Sequence, residues 1–399
     1  MALLEAPARL EPCQLPTYSE KLADLVSAVT ASASTLGARL HPLTASSLAD
    51  LVRVMNCYYS NLIEGHDTRP RDIERALFEE LETEPERRNL QLEARAHIRV
   101  QRAIDELHAK GELTEPAAPS FIRWVHEQFY ADAPAELLTI SRASGSYRMQ
   151  PGVFRHETKH DNVVGRHVPP SSAVVPAFMD YFEQRFRLAP LGAAARIAAI
   201  AIAHHRLNFI HPFPDGNGRV SRLVAHAMAL VSGIGAHGLW SISRGLARGL
   251  SDRGEYKRMM DLADSPRRND LDGRGDLSLE ALEAFVTWFC QVALDQLTFM
   301  SQLLDLDTLT ARLDTYVTRD LGLSTAATKL VHALLQRGEL PRGDTGPVMS
   351  MPERTARTVL SRLSDAGLVA SSTPKGPVSL RFNTTSAETL FPRLFPAQG

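Results

Sequence analysis

The sequence is poor in cysteine, in net charge and in long apolar runs. Its 399 residues include three cysteines, Cys13, Cys57 and Cys290, which lie too far apart for a disulfide framework or a recognisable zinc site. Lysine and arginine (44) nearly balance aspartate and glutamate (46), which argues against coating of nucleic acid or anionic lipid through bulk charge. The sequence shows neither a secretory signal nor the run of roughly 20 apolar residues that crosses a bilayer. We therefore expect a cytoplasmic protein without a membrane partner.

Helical periodicity is what the sequence has in abundance. Apolar residues recur near every 3.6 positions in most of the chain, which predicts a mainly α fold. The predicted helices cover 46–63, 71–81, 90–109, 120–130, 171–186, 193–209, 220–230, 253–262 and 277–304. Thr68 followed by Pro70 predicts a capped helix start. Residues 145–170, rich in Gly, Pro and Val, predict a β-hairpin flap.

The last eighty residues have a different pattern. Helices at 326–335 and 352–366, the second capped by Ser350, and strands at 368–371 and 378–382 predict a winged-helix domain. Several basic side chains on it could meet DNA phosphates: Arg354, Arg357, Arg362, Lys375 and Arg381. Such domains also serve as protein-contact modules, so DNA and a second copy of the chain (a homodimer) both stay open as partners.

Residues 208–222, Asn-Phe-Ile-His-Pro-Phe-Pro-Asp-Gly-Asn-Gly-Arg-Val-Ser-Arg, carry the candidate chemistry. Gly216, Asn217 and Gly218 open a helix, where free amides and the helix dipole favour a phosphate chain. Arg219 and Arg222 are three residues apart and are expected to reach the same phosphates. Asp215 offers an oxygen ligand for Mg²⁺. His211 has the near-neutral pKa that suits a general base.

Two histidines before the loop suggest a competing interpretation. His204, His205, His211 and Asp215 could form a metallohydrolase site, but adjacent histidines point to different sides of a helix and no zinc-type spacing completes the set. We expect one of His204 and His205 in the core and the other at the surface. Tyr256 is expected to be half-buried in a solvated helix face.

Residues 211–222 resemble the Fic (filamentation induced by cAMP) signature HxFx(D/E)GNGRxxR, matching every fixed position. This resemblance implies a Fic-type helical core and transfer of AMP from ATP, with Mg²⁺, to a Ser, Thr or Tyr hydroxyl of a target protein or of the chain itself. The implied roles are general base for His211, Mg²⁺ ligand for Asp215, and phosphate binding for Gly216, Asn217, Gly218, Arg219 and Arg222. The motif alone does not separate AMP from phosphocholine transfer.

An upstream segment resembles the inhibitory motif of the same family, (S/T)xxxE(G/N). Ser60 and Glu64 are four residues apart and share a helical face, and Gly65 allows the chain to turn away. The resemblance implies that Glu64 pairs with Arg222 and takes the space of the ATP γ-phosphate. A further hypothesis is that Glu64 aligns a water molecule for removal of AMP.

The resulting domain prediction has four parts. Residues 1–84 form a helical region with the inhibitory motif, 85–305 the Fic core, 306–322 a linker and 323–399 the winged helix. The flap is expected to receive the target by strand addition near Val163. The alternative function is a DNA-binding regulator that uses the Fic core as a nucleotide sensor. The target and its modified residue are not named by the sequence.

Overall fold

The computed structural model describes residues 5–142 and 145–396, and helices dominate it. The helices of the first 231 residues are α1 (Glu20–Thr35), α2 (Pro42–Ile63), α3 (Pro70–Leu77), α4 (Pro85–Ala109), α5 (Pro119–Tyr130), α6 (Ala135–Leu138), α7 (Val175–Phe186), α8 (Ala193–Ile210) and α9 (Asn217–Val231). Those that follow are α10 (Ile242–Arg248), α11 (Glu255–Ala263), α12 (Leu279–Leu303), α13 (Leu306–Thr315), α14 (Thr325–Arg337), α15 (Thr345–Met349), α16 (Glu353–Asp365) and α17 (Thr384–Leu390). The mainly helical fold is thereby confirmed.

Proline sets the start of several helices. Pro42, Pro70, Pro85 and Pro119 each occupy the first helical residue of α2, α3, α4 and α5. Proline is favoured there because its fixed φ suits the helix and its missing N–H would have no intrahelical partner. The predicted caps were wrong at two positions. The residue before α3 is Arg69, since Thr68 is buried and accepts a hydrogen bond from Asn61. Ser350 has φ of 56° and ends α15 instead of starting α16.

Helices α8 and α9 form the centre of the molecule. The stretch of α8 from Ile197 to Leu207 is buried throughout, including its polar side chains. It packs against α9, α7, α12 and α1, while α4 and α5 pack against α9. The short loop between α8 and α9 therefore lies within a fixed helical frame. Among the described residues, no helix combines the length and the apolar character needed to cross a bilayer.

The β-hairpin lies upstream of its predicted position. Strand β1 (Thr139–Arg142) pairs antiparallel with β2 (Gly145–Arg148), with Ile140 opposite Tyr147. The connecting residues 143–144 lie outside the described residues. Residues 149–170, which we expected to be part of the flap, contain a 3-10 turn (Thr158–His160) and an isolated bridge between Val164 and His167. Prolines at 151, 169 and 170 lack the N–H that a strand ladder needs.

The C-terminal region contains the predicted helices and strand pair. Strands β3 (Glu339–Leu340), β4 (Val369–Ser371) and β5 (Val378–Leu380) form an antiparallel sheet in the order β3-β5-β4. Helices α14, α15 and α16 pack in sequence beside this sheet. The segment 306–322, predicted as a linker, is helical: α13 continues into a π-helical turn (Tyr316–Asp320) and packs against α14 and α17.

Candidate active site

The loop from His211 to Gly216 joins the two central helices through two left-handed residues. His211 ends α8 with φ of 49°, and Gly216 precedes α9 with φ of 77°. Glycine is required at 216 for space as well, since a Cβ there would lie 2.8 Å from the Tyr130 hydroxyl oxygen. A left-handed histidine carries a strain that the surrounding contacts must offset. The loop is therefore held in one tight conformation.

Asn217 orients the His211 ring. Its Oδ1 accepts from the Phe213 N–H at 2.9 Å and its Nδ2 donates to the Phe213 carbonyl at 2.8 Å, which fixes the amide orientation. The same Nδ2 lies 3.1 Å from His211 Nδ1. Since an amide NH₂ only donates, Nδ1 accepts and the neutral ring carries its proton on Nε2. Burial and the nearby Arg155 lower the pKa of His211, so the ring is neutral at physiological pH.

Arg155 binds backbone carbonyls at the start of this loop, a role that the sequence analysis did not predict. Its guanidinium is buried and donates to the carbonyls of His211 (Nε, 2.8 Å), Pro170 (Nη2, 2.8 Å) and Ile210 (Nη2, 3.2 Å). Nη1 pairs with Asp161 at 2.6 Å. These partners are His211 itself, the residue before it, and two residues of the irregular segment 149–170. Arg155 thereby fixes the backbone that carries His211.

His126 on α5 supports the other end of the loop, and was also missed. Its Nδ1 accepts from the Gly152 N–H at 2.8 Å, so Nε2 carries the proton and donates to the Asp215 carbonyl at 3.3 Å. Its ring stacks on Phe213, with centroids 3.9 Å apart. A neutral imidazole thus connects α5, the segment after the hairpin and the loop.

The N-terminus of α9 has the features of an anion site. No side chain caps it, because the N-cap residue is Gly216 and the Asn217 amide turns back to Phe213. The first amides of a 15-residue helix therefore keep the partial positive charge that attracts anions. The Glu64 carboxylate lies against this end: a Cβ added at Gly218 would be 2.5 Å from Glu64 Oε1. The predicted phosphate-binding residues and Glu64 therefore meet at one place.

Arg222 makes three contacts with the end of α2. Nη2 pairs with Glu64 Oε1 at 2.6 Å and donates to the Ser60 carbonyl at 3.3 Å, and Nε donates to Ser60 Oγ at 2.9 Å. Burial alone would raise the pKa of Glu64, but Arg222 and Arg219 outweigh it and hold that pKa below its ordinary value. Gly65 follows with φ of 88°, and the chain turns away there as expected.

Arg219 has a different partner from Arg222. It forms a buried ion pair with Glu93 of α4, and its guanidinium lies 5.3 Å from the Phe129 ring centroid. The two arginines were expected to reach one phosphate chain together. In the structure each guanidinium has its own carboxylate, because Glu93 of α4 pairs with Arg219 and Glu64 at the end of α2 pairs with Arg222.

The end of α2 is in turn contacted by the C-terminal segment. Tyr59 Oη donates to the Leu394 carbonyl at 3.2 Å, and the Tyr58 ring meets Phe395 edge-on at 5.9 Å. Earlier on α2, Asn56 donates to Gln101 Oε1 at 2.7 Å. These contacts position the helix that carries Ser60 and Glu64.

Asp215 fits the donor chemistry of a Mg²⁺ site. Its carboxylate is half-buried, lies beside the start of α9 and has no ion-pair partner among the described residues. One carboxylate together with phosphate oxygens and waters is a common way for proteins to hold Mg²⁺. The buried Tyr130 hydroxyl, which lacks a hydrogen-bond partner among the described residues, lies near the same loop.

The metallohydrolase interpretation is wrong for the described residues. His204 Nε2 contacts the Tyr256 hydroxyl at 2.8 Å, and His205 Nε2 lies 3.1 Å from Asp264 Oδ1 on another side of α8. Neither lies in a metal-binding group with His211 and Asp215. Both histidines are buried, so the expectation that one faces solvent is wrong, and Tyr256 is buried rather than half-buried. Adjacent positions of α8 are both enclosed because neighbouring helices surround it.

Buried neutral histidines make stability dependent on pH. Burial lowers the pKa of His97, His126 and His204 to about 3 from an ordinary 6.5. The unfolded chain therefore binds protons below pH 6.5 that the folded chain does not bind, so stability is retained above that pH and falls on acidification. We expect a loss of about 1–2 kcal/mol per histidine between pH 7 and 5. Urea unfolding at the two pH values measures it.

The carboxylate of Asp264 does not add to this loss of stability between pH 7 and 5. Burial alone would raise its pKa, but His167 and His205 depress it, so the stability that Asp264 contributes is lost only below that interval. His97→Gln should flatten the slope between pH 7 and 5. An unfolding free energy that stays constant over this interval would contradict the assignment of neutral buried imidazoles.

Val163 was expected to receive a target by strand addition. It is 63% exposed, as are the nearby Val164 (41%) and Val168 (62%), but it lies outside β1 and β2. The exposed apolar segment is therefore irregular, and strand addition at Val163 has no strand to extend.

Residues 116–229 match the Fic/DOC family. A stretch of 82 residues is 34% identical to the protein adenylyltransferase Fic of Drosophila erecta and 35% identical to that of Aedes aegypti. Each match covers 21% of this chain and only 16% of the relative.

Solved structures share the fold over a longer stretch. A Fic family protein from Desulfovibrio desulfuricans G20 aligns with a TM-score of 0.52 and 16% identity over 92% of this chain and 98% of that chain. A Fic domain-containing signaling protein from Bacteroides thetaiotaomicron VPI-5482 gives a TM-score of 0.51 at 18% identity over 71% of this chain and 96% of that chain. The chain therefore shares its fold with these structures, and residues 116–229 carry the match to the Fic/DOC family.

Proposed function

We propose that the protein is a protein adenylyltransferase that moves AMP from ATP to a hydroxyl of a target protein or of itself. The observation that carries the proposal is the geometry at the start of α9, where His211 and Arg222 flank an uncapped helix N-terminus. Transfer at phosphorus depends on positioning and charge neutralisation more than on covalent chemistry. The relatives named protein adenylyltransferase support the same class of reaction.

The proposed roles follow from the contacts. The amides of Gly218 and its neighbours and the Arg222 guanidinium bind phosphates, and Asp215 with phosphate oxygens holds Mg²⁺, which would supply charge neutralisation. Arg219, whose guanidinium pairs with Glu93 of α4, supports the phosphates by its positive charge. His211 removes the proton of the attacking hydroxyl. In the structure Nδ1 accepts from Asn217 and Nε2 carries the proton, so neither ring nitrogen has a free lone pair to take the proton of the hydroxyl. Docking of the hydroxyl must therefore displace the contact with Asn217 or move the ring proton.

We further propose that Glu64 inhibits the enzyme. Its carboxylate occupies the anion site and holds the guanidinium that a γ-phosphate would need. Removal of AMP by a water aligned on Glu64 belongs to the same proposal. The C-terminal domain, in our interpretation a winged helix, has exposed Arg354 and Lys375, and DNA is its proposed partner.

Labelling with ATP tests the transfer reaction. ATP carrying the label on the α-phosphate, Mg²⁺ and Glu64→Gly protein should label a protein band in lysate or the enzyme itself, with a mass gain of about 329 Da for AMP. ATP labelled on the γ-phosphate should leave no label on the purified enzyme when no lysate is present. His211→Ala should abolish the band, whereas His108→Ala, at an exposed position on α4, should not. Absence of label together with retardation of a DNA fragment would contradict the proposal in favour of a DNA-binding regulator.

A further inference from the structure

Three potential metal ligands converge in the segment between the hairpin and α7. The ligand atoms of His156, Glu157 and His160 all lie within 4.8 Å of one another. Glu157 Oε1 is 3.4 Å from His156 Nε2 and 3.8 Å from His160 Nε2. Ligands bound at about 2.1 Å in a tetrahedral zinc site are about 3.4 Å apart. Both distances from Glu157 Oε1 are therefore within 0.4 Å of the spacing that a tetrahedral site needs.

The neighbouring contacts leave the appropriate atoms available. His156 Nδ1 lies 3.1 Å from the Phe154 carbonyl, which only accepts, so Nδ1 is protonated and the Nε2 lone pair is free. Such a contact on the second ring nitrogen is typical of metal-binding histidines. The other Glu157 oxygen, Oε2, pairs with Lys159 at 2.9 Å, which leaves Oε1 facing the rings.

His160 is the buried residue of the three. Its ring packs against Tyr147 of β2, with centroids 4.7 Å apart, and its Nδ1 receives a long hydrogen bond of 3.4 Å from the His156 N–H. A metal on Nε2 would place the ring proton on Nδ1, so this long contact would open. Because the bond is long, little stability is lost when it opens.

We propose that His156, Glu157 and His160 bind a divalent transition-metal ion, with Zn²⁺ as the best match. Two imidazoles and one carboxylate suit Zn²⁺ and not Mg²⁺, which prefers oxygen ligands throughout. The site is separate from Asp215. The order His-Glu-x-x-His is also that of metalloproteases, but there the two histidines lie on one helix. Here His156 and Glu157 are outside any helix, and Glu157 serves as a ligand.

The position of the site gives the metal a structural role. It borders a groove of about 200 Å³ that Met149, Phe154 and Pro214 also line. The Arg142 guanidinium donates to the His160 carbonyl at 3.1 Å and to the Pro214 carbonyl at 3.4 Å. A bound ion would thus brace the segment that adjoins the catalytic loop.

Zinc titration of untagged, chelator-treated full-length protein tests the site. Calorimetry should show one Zn²⁺ per chain at this site, undisturbed by an excess of Mg²⁺. Since loss of even an outer-shell partner costs roughly 10- to 100-fold in affinity, His156→Ala and Glu157→Gln should each weaken binding at least that much. Both residues are exposed, so their variants should fold normally. His108→Ala is the matched surface histidine control and should bind as wild type.

Cobalt substitution provides the second readout. Co²⁺ in a four-coordinate site should give visible absorption bands that disappear in His156→Ala and remain in His108→Ala. Failure of the wild-type protein to bind Zn²⁺, competition by Mg²⁺, or unchanged binding in the double variant His156→Ala/Glu157→Gln would each overturn the proposal. None of these measurements depends on transferase activity, so their outcome is independent of the proposed function.

Discussion

Replacing Glu64 with glycine should raise AMP incorporation roughly 10- to 100-fold, because a charge-assisted hydrogen bond is worth about 1.5–3 kcal/mol. The Arg222–Glu64 contact at 2.6 Å is partly buried, and the carboxylate lies against the start of α9. Its removal leaves the guanidinium and the helix amides for ATP. The gain should lie mainly in the KM for ATP, since the carboxylate competes for the phosphate position.

The chain offers a matched control for this substitution. Lys110 also ends a helix, α4, and also precedes a glycine with positive φ, Gly111. Lys110→Gly therefore reproduces the backbone change without touching the anion site. Glu64→Gln should give an intermediate gain because it loses the charge and keeps the volume. An unchanged or lower rate for Glu64→Gly with MgATP, measured by intact mass, would remove the inhibitory role from the proposal.

Much of the fold could be predicted from periodicity, and the failures have local causes. The ends of α2, α4, α8 and α12 fall within a few residues of prediction because long apolar faces repeat there. Helix α1 was missed although its buried residues, Leu22, Val26, Val29 and Ala33, recur at helical spacing, because the Ser, Thr and Ala residues between them weaken the contrast between its apolar and polar faces. Helix α10 is only seven residues long.

The candidate site was predictable where its residues are adjacent in sequence. Residues 211–222 form one loop and helix start, so the pattern alone brings them together. The pairing of Arg222 with Glu64 was anticipated only through the family resemblance, since the two residues are 158 positions apart, and the contact of Arg222 with Ser60 was not anticipated. The partner of Arg219, Glu93, could not be anticipated because it depends on the packing of α4 against α9.

Arg155 and His126 show why the supporting contacts could not be predicted. In the sequence Arg155 is one basic residue within an irregular segment, and His126 is one polar position in an amphipathic helix. Their roles arise from bonds to backbone carbonyls and amides, which carry no side-chain signature. The same holds for His156, Glu157 and His160, whose convergence depends on a 3-10 turn within the segment expected to be a hairpin.

Substitution of Arg155 should have the largest effect on stability. Arg155→Met leaves three carbonyls without their donor and Asp161 without its cation; loss of one member of a buried ion pair costs about 3–5 kcal/mol, and because Asp161 is 32% exposed we expect the lower end of that range. Urea unfolding measures the loss. Arg123→Met is the matched control: Arg123 is exposed and makes a single bond to a carbonyl, that of Gly152 at 2.8 Å, so its loss should cost less than about 1 kcal/mol.

Arg155→Lys separates the positioning of His211 from folding. A lysine ammonium can still pair with Asp161, but it cannot reproduce the planar fork that reaches the carbonyls of His211 and Pro170. In the Glu64→Gly background we expect kcat to fall by about 100-fold, the cost of a displacement near 1 Å, with little change in the KM for ATP. The phosphate site at the start of α9 does not contact Arg155, so binding of ATP should survive. Retention of the parental kcat in a folded Arg155→Lys protein would mean that the left-handed conformation of His211 does not depend on this guanidinium.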